Sequence, residues 1–205
     1  MAADRLSLWL EAFERERDRE RGELARLLHD EAGGKLTAVG IELTLLRMDT
    51  PPAFAERLDS LERALEAAFT SVRAASLNVA PDLAERVSLA EAMARVAESA
   101  GRRYHGTLAL SVDTEYRPDS DTARALVRIA ESLLGFFTVE AGATSVDLDV
   151  EEGPLMRVRA NIEIDRSQAT PCLGLSLAKY WAAKTNLRFL FGKPSGGSTI
   201  LVITK

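Results

Sequence analysis

The sequence predicts an α+β protein, with a hairpin of two long helices in its first part and an α/β sandwich in its second. Apolar residues recur at spacings of three and four up to about residue 79, which is the period of helices with one buried face. Pro81 then marks a boundary, because a proline ends a helix and restricts the residue before it. Beyond it, helical segments alternate with segments of period two, as in a sheet covered by helices. We therefore predict two domains, residues 1–81 and residues 82–205.

Composition excludes several classes of protein. The 205 residues are 46% hydrophobic and 28% charged, as in an ordinary globular protein. The apolar runs are too short to cross a bilayer and no N-terminal signal segment is visible, so we expect no membrane insertion. With a net charge of −5 and no basic block, we expect no nucleic acid partner. The single cysteine, Cys172, excludes an internal disulfide and fits a cytoplasmic location.

The first domain should form an antiparallel helical hairpin. One helix is predicted over residues 4–48, and Thr50, before two prolines, is expected to start a second helix that ends near Val79. A single hairpin leaves its apolar faces half covered, whereas two hairpins can cover them in a four-helix bundle. We therefore predict a homodimer through residues 6–79. The stripe of the first helix comprises Leu24, Leu28, Ala32, Leu36, Val39, Leu43 and Leu46.

His29 falls at the edge of this stripe on a helical wheel. Gly22, Gly33 and Gly40 lie beside it, on the solvent side. Each mid-helix glycine costs roughly 1 kcal/mol relative to alanine, so three on one face indicate a reason other than helix stability. Bare backbone beside an exposed imidazole would let another protein come close. Without further signals, a surface histidine among chance glycines is the simpler interpretation.

The residues around His29 carry such a signal. The run Glu-Leu-Ala-Arg-Leu-Leu-His-Asp-Glu-Ala-Gly over residues 23–33, with Leu-Thr-Ala at 36–38, resembles the H-box of bacterial sensor histidine kinases. The resemblance implies that His29 accepts a phosphoryl group within a dimeric four-helix bundle. It also implies that Asp30, followed by Glu31, assists with the proton.

Two further expectations follow from this resemblance. Gly34 stands where the family has the glutamine used for phosphatase activity, so that activity is in question. The partner would be the receiver domain of a response regulator, lying flat against the helix. Its expected docking residues are Gly22, Arg26, Gly33 and Gly40.

The second domain is predicted to have the order α-β-α-β-β-α-β-β, which indicates a mixed sheet with helices packed on it. His105 is expected in a surface turn, and Trp181, Phe189 and Phe191 in the core. The predicted helices cover about residues 88–100, with Ser88 as cap, 119–139 and 171–186. The predicted strands cover residues 107–112, 145–150, 155–164, 187–191 and 199–203, with a turn at 152–154.

This second half resembles the ATPase-like domain that follows the bundle in the same kinases. Residues 126–146 resemble the helix that carries the Mg²⁺-binding asparagine of the family. Residues 173–178, Leu-Gly-Leu-Ser-Leu-Ala, and the later Gly-Gly-Ser-Thr at 196–199 resemble its glycine box and closing turn. Residues 80–83 match the usual junction between the two domains.

Compared position by position with the nucleotide-binding motifs of that family, this sequence lacks several of the residues that hold ATP and Mg²⁺. The family glutamate falls on Ser132, and the Mg²⁺-binding asparagine falls on Phe136, which has no oxygen to offer. Residues 165–169 lack the glycines of the next box and lie too close to Leu173 to leave room for an ATP lid. Cys172 replaces the first glycine of the final box. We therefore expect a degenerate domain without nucleotide, cofactor or metal, with Mg²⁺ only on the partner receiver.

Three functions remain open. The first is a histidine phosphotransferase of a phosphorelay, in which the neutral imidazole of His29 exchanges phosphate with receiver aspartates. The alternative is a non-catalytic pseudokinase that docks and regulates a receiver or another histidine kinase. An active kinase with an unusual nucleotide site ranks last because of Phe136. The direction of phosphate flow is left open.

Overall fold

The computed structural model describes residues 2–81, 83–152, 155–162, 172–192 and 198–204. Internal contacts divide the chain into two compact units, one of Glu11–Leu83 and one of Met1–Leu10 together with Ala84–Lys205. The expectations for residues 153–154, 165–169 and 196–197 lie outside the described residues. The boundary between residues 81 and 82 stays a prediction.

The hairpin is built from three α-helices. These are α1 (Ala2–Arg26), α2 (Gly33–Asp49) and α3 (Ala55–Val79). The backbone is helical from α1 through α2, but residues Leu27–Ala32 have the π-helical hydrogen-bond pattern, and we call them the π turn. The predicted single helix of residues 4–48 is therefore continuous, with a local change of pitch that the apolar spacing did not indicate.

Thr50 ends α2 and does not start the next helix, so this expectation was wrong. Its hydroxyl donates to the carbonyl of Leu46, four residues earlier, as threonine commonly does in a helix. A short 3₁₀ turn at Pro52–Phe54 then leads into α3, whose first residue has no side-chain cap.

Polar contacts join the two arms of the hairpin at both ends. Near the connecting turn, the guanidinium of Arg47 lies 2.9 Å from a carboxylate oxygen of Asp59 and 2.7 Å from one of Glu62. At the other end, the hydroxyl of Ser76 donates to the carbonyl of Ala25 at 3.1 Å. These contacts fix an antiparallel register between α3 and the helix that contains His29.

The hairpin covers only part of its apolar surface. Leu28, Ala32, Leu36 and Leu43 of the predicted stripe are half-buried. The other three, Leu24, Val39 and Leu46, are 46%, 49% and 51% exposed. Further exposed apolar side chains in this unit are Leu27, Ile41, Leu45, Met48, Phe54 and Leu61. A single hairpin thus leaves a large apolar surface open to water.

The second unit has the predicted order of elements, preceded by one short helix that the sequence did not indicate. Its helices are α4 (Leu83–Arg86), α5 (Leu89–Gly101), α6 (Ser120–Gly135) and α7 (Leu173–Lys184). Its strands are β1 (Thr107–Val112), β2 (Ala143–Val150), β3 (Met156–Ile162), β4 (Arg188–Gly192) and β5 (Ser198–Thr204). The strands form one sheet in the order β1-β2-β3-β5-β4, in which β1 and β2 are parallel and the other neighbours antiparallel. The predicted mixed sheet is confirmed.

The sequence also indicated how these helices begin and where the core lies. Ser88 caps α5 and Asp119 caps α6, each by accepting a backbone N–H three residues later. Trp181 is buried and His105 is exposed, as expected, whereas Phe189 is only half-buried. The side chain of Phe191 lies outside the description. The largest fully buried side chains include Phe137, Met93, Leu126, Ile129, Leu133, Leu148, Met156 and Ile203.

Among the residues that the structure describes, no helix is both long and apolar enough to span a bilayer.

Candidate functional site

His29 lies in the middle of the π turn. The N–H of Gly33, the first residue of α2, donates to the carbonyls of Leu28 and Asp30. The bond to Leu28 joins residues five apart, one more than in an α-helix. Such π segments are rare, and they occur frequently at functional sites.

The side chains of the π turn are open to solvent. His29, Asp30 and Glu31 are all exposed, and no residue of the turn is buried. Within the described part of the chain, the imidazole has no hydrogen-bond partner, so both ring nitrogens can be reached. Arg26, one turn earlier, is exposed as well, and its Nε lies 3.3 Å from the carbonyl oxygen of Gly22. The turn therefore presents an exposed imidazole, with two exposed carboxylates next to it in sequence and an exposed guanidinium three residues earlier.

Two of the three glycines expected to form an open track beside His29 have side chains from the rest of the hairpin close to them. A Cβ built at Gly40 would lie 3.4 Å from Cδ2 of Leu65, and one built at Gly22 would lie 3.9 Å from Cγ of Pro81. Both glycines therefore face the other arm of the hairpin, because that arm packs along the glycine side of the helix. A Cβ at Gly33 would meet only the carbonyl oxygen of Leu28, at 3.9 Å.

The docking role expected of Gly22, Arg26, Gly33 and Gly40 stays a prediction.

Sequence reasoning did not find Ser76. Its hydroxyl reaches across the hairpin to the carbonyl of Ala25, immediately before Arg26 and the π turn. A serine in a helix usually bonds a carbonyl of its own helix, and only the packing of the two arms reveals the other partner.

The second unit shows how the degenerate positions pack. Phe136 is buried, and its ring meets that of Phe137 edge to face at 5.0 Å. Gly174 of α7 lies directly on α6. A Cβ there would be 2.6 Å from the carbonyl oxygen of Ser132 and 2.9 Å from Cβ of Phe136. Helix α7 therefore packs closely against α6 at Gly174.

Cys172, at the start of α7, is half-buried. Burial raises the pKa of its thiol, and the carboxylate of Glu140 raises it further. A thiol with a raised pKa is a poor nucleophile. Among the described residues, no group of three His, Cys, Asp or Glu side chains could hold a metal ion.

Comparisons with known proteins support this description. Residues 20–84 match the histidine kinase family HisKA_3, and this segment contains the π turn and all of α2 and α3. No curated protein sequence matches the chain.

The solved structures that match the chain include several histidine kinases. The histidine kinase domain of the blue-light activated kinase from Erythrobacter litoralis EL346 is 16% identical, with 94% of this chain and 93% of that one covered and a TM-score of 0.48. A histidine kinase from Burkholderia phymatum STM815 is 17% identical, with 100% and 99% covered and a TM-score of 0.44.

The blue-light activated kinase of Erythrobacter litoralis EL346 is 15% identical to this chain, with a TM-score of 0.46. The match covers 73% of this chain and 60% of the length of that kinase. At these TM-scores the assignment depends on the sequence match. Residues 20–84, with His29 inside them, are therefore the part of the chain that is similar to the histidine kinase family HisKA_3.

Proposed function

We propose that the protein is a histidine phosphotransferase, which passes a phosphoryl group between His29 and aspartates of response-regulator receiver domains. The observation that supports this most is the unpaired, exposed imidazole of His29 on a π turn inside the HisKA_3 segment. The close contact of α7 with α6 at Gly174 argues against ATP as the phosphate donor. Phosphate would then come from another protein.

In the proposed step, a ring nitrogen of neutral His29 attacks the phosphorus of a receiver's aspartyl phosphate. The N–P bond forms as the P–O bond to the aspartate breaks, and the aspartate leaves as a carboxylate with the electron pair. The imidazole gains positive charge, and the proton on its other nitrogen can pass to Asp30, Glu31 or water. The reverse reaction transfers the group to a second receiver.

The chain supplies mainly position and charge for this step. The guanidinium of Arg26 is near enough in sequence, one helical turn away, to compensate phosphoryl oxygens. Mg²⁺ would be held by the receiver, since His29 and its neighbours offer no metal site among the described residues.

We also propose that two hairpins form a homodimer. The exposed apolar residues of α2 and α3, Val39, Leu46 and Leu61 among them, are about half open to water in the single chain. Burying such surface stabilises a protein by about 25 cal/mol per Å², and this would favour a bundle of four helices.

The second candidate is a non-catalytic pseudokinase that binds a receiver domain or another histidine kinase and regulates it. The packed core at Phe136 and the contact of Gly174 with α6 favour this function as much as the first. The exposed His29, followed by Asp30 and Glu31, favours the phosphotransferase over the pseudokinase, because a purely binding surface does not need a nucleophile.

Transfer from prephosphorylated receiver domains tests the proposal. Receivers labelled with acetyl phosphate would be incubated with the wild type, His29→Ala and His105→Ala. His105 is the second histidine of the chain and is also exposed, so its variant is a matched control. We expect acid-labile label on the wild type and on His105→Ala, and none on His29→Ala at an unchanged melting temperature. Binding of the receiver without any label on the wild type would favour the pseudokinase.

A further inference from the structure

We propose that Ser76 of α3 is a positioning residue for His29, an inference that rests on the phosphotransfer function proposed above. Its hydroxyl holds the carbonyl of Ala25 and thereby fixes the point at which α1 passes into the π turn. The orientation of the imidazole is then set by the other arm of the hairpin as well as by its own helix.

The bond of Ser76 differs from those of the other hairpin hydroxyls. Five of them donate to the carbonyl four residues earlier in their own helix, and these are Thr37, Thr44, Thr50, Thr70 and Ser71. Ser76 instead donates to a carbonyl 51 positions away in sequence, in a half-buried site between the arms. A serine inside a helix commonly bonds the carbonyl four residues earlier or points to solvent, and Ser76 does neither.

The acceptor is close to the reacting group along the backbone. In an α-helix, the carbonyl of Ala25 would accept the N–H of residue 29, which is His29 itself. Ser76 therefore donates to a carbonyl that lies four residues before the proposed phosphoacceptor. Helices change pitch where a side chain bonds into their ladder of hydrogen bonds, and the π turn begins two residues after Ala25.

Neighbouring contacts hold this part of α3 in place. Pro81, five residues after Ser76, approaches Gly22, where the absence of a side chain lets the arms come close. On the other side of the π turn, Gly40 meets Leu65. The π turn thus lies between two close contacts of the arms, and Ser76 adds the polar contact at its start.

Three variants test the inference. Ser76→Ala removes the hydroxyl, and Ser76→Thr keeps it. Ser71→Ala is the matched control, because Ser71 lies on the same helix, is exposed and bonds only the carbonyl of Ala67 in its own helix. None of the three should unfold the protein, since each changes one small side chain.

Two measurements separate the positioning of the His29 imidazole against a receiver from its intrinsic reactivity. The first is the rate of transfer from a labelled receiver, and the second is labelling by phosphoramidate, a small donor that loses ammonia as the N–P bond to His29 forms. We expect Ser76→Ala to slow receiver transfer by about tenfold or more, since small misplacements of a reacting group are costly. Phosphoramidate labelling should be unchanged, because the imidazole stays exposed. Ser76→Thr and Ser71→Ala should behave like the wild type in both.

A third measurement does not depend on any receiver. The ring resonances of His29 in ¹H–¹³C spectra should shift in Ser76→Ala and not in Ser71→Ala or Ser76→Thr. Unchanged resonances in Ser76→Ala, or the same shift in Ser71→Ala, would overturn the positioning role. If no receiver phosphorylates the wild type, the phosphotransfer function fails, while the spectra still decide whether Ser76 positions the imidazole.

Discussion

The N–H of Gly33 donates to the carbonyl oxygen of Leu28, five residues earlier, and this bond closes the turn that carries His29. In an α-helix, Gly33 would bond the carbonyl of His29 instead. The helix therefore changes its hydrogen-bond pattern at the histidine that the sequence motif singles out.

Gly33→Leu should raise stability and slow phosphotransfer. The φ of Gly33 is −61°, an ordinary helical value, and a Cβ there meets only the Leu28 carbonyl oxygen at 3.9 Å. Replacing a helical glycine should stabilise the fold by about 0.5–1 kcal/mol, while the larger side chain obstructs a partner beside His29. Melting temperature and transfer rate would be measured together.

Gly34→Leu is the stability control, because a Cβ at Gly34 meets nothing within 4 Å. Unchanged transfer in Gly33→Leu would place the docking surface elsewhere. A loss of stability would show that Gly33 is needed for close packing inside the bundle.

Leu46→Glu should dissociate the proposed dimer. Leu46 is 51% exposed in the single chain, and a charge there would be buried without a partner in the bundle. Light scattering at micromolar concentration should show a dimer for the wild type and a monomer for Leu46→Glu. Leu190→Glu, at an equally exposed leucine of β4, should remain a dimer. A monomeric wild type would refute the dimer.

Gly174→Ala should destabilise the second unit. Its Cβ would lie 2.6 Å from the Ser132 carbonyl oxygen, so α7 would have to move away from α6. Overpacking of this kind costs about 1–3 kcal/mol. Gly135→Ala is the matched control, since a Cβ there meets nothing within 4 Å, and it should be neutral or slightly stabilising. Urea denaturation of both variants measures the difference, and equal stabilities would contradict the close contact.

ATP should not bind. The buried ring of Phe136 offers no oxygen to Mg²⁺, and α7 lies against α6 where phosphates would need space. Calorimetric titration of the wild type with ATP and Mg²⁺ is expected to give no binding heat. Micromolar binding would restore the active-kinase hypothesis, which ranks last here.

Asp119 should contribute to stability in a pH-dependent way. The backbone N–H and hydroxyl of Thr122 donate to its carboxylate at 2.8 and 2.7 Å, and these bonds lower its pKa from 3.8. A pKa lowered by folding means that the stabilisation is present above the unfolded value and is lost as the pH falls through the folded one. Asp119→Asn should therefore lose less stability than the wild type between about pH 5 and about pH 2.

Asp121→Asn removes the same charge two residues later and leaves the cap intact. Denaturation curves across this pH range compare the two variants. If the acid-induced loss were the same in the wild type and in Asp119→Asn, the cap would not be the source of the pH dependence.

The sequence determined the elements of the second unit and the place of His29. Period-two patterns located β1 at residues 107–112, and the cap residue Ser88 located the start of α5, because these signals are local. The inward face of α6 and the burial of Phe137 followed from the apolar spacing of Leu126, Ile129, Leu133 and Phe137. The motif around His29 needed no tertiary information either.

Tertiary structure decided everything that depends on which side of a helix its neighbour covers. A helical wheel assumes a constant angle per residue and cannot show the π turn at Leu27–Ala32. It placed Gly40 toward solvent, whereas α3 packs on that side and brings Leu65 to it. The partner of Ser76 is 51 positions away, and the antiparallel register of the two arms, which no local pattern encodes, puts the Ala25 carbonyl within reach of its hydroxyl.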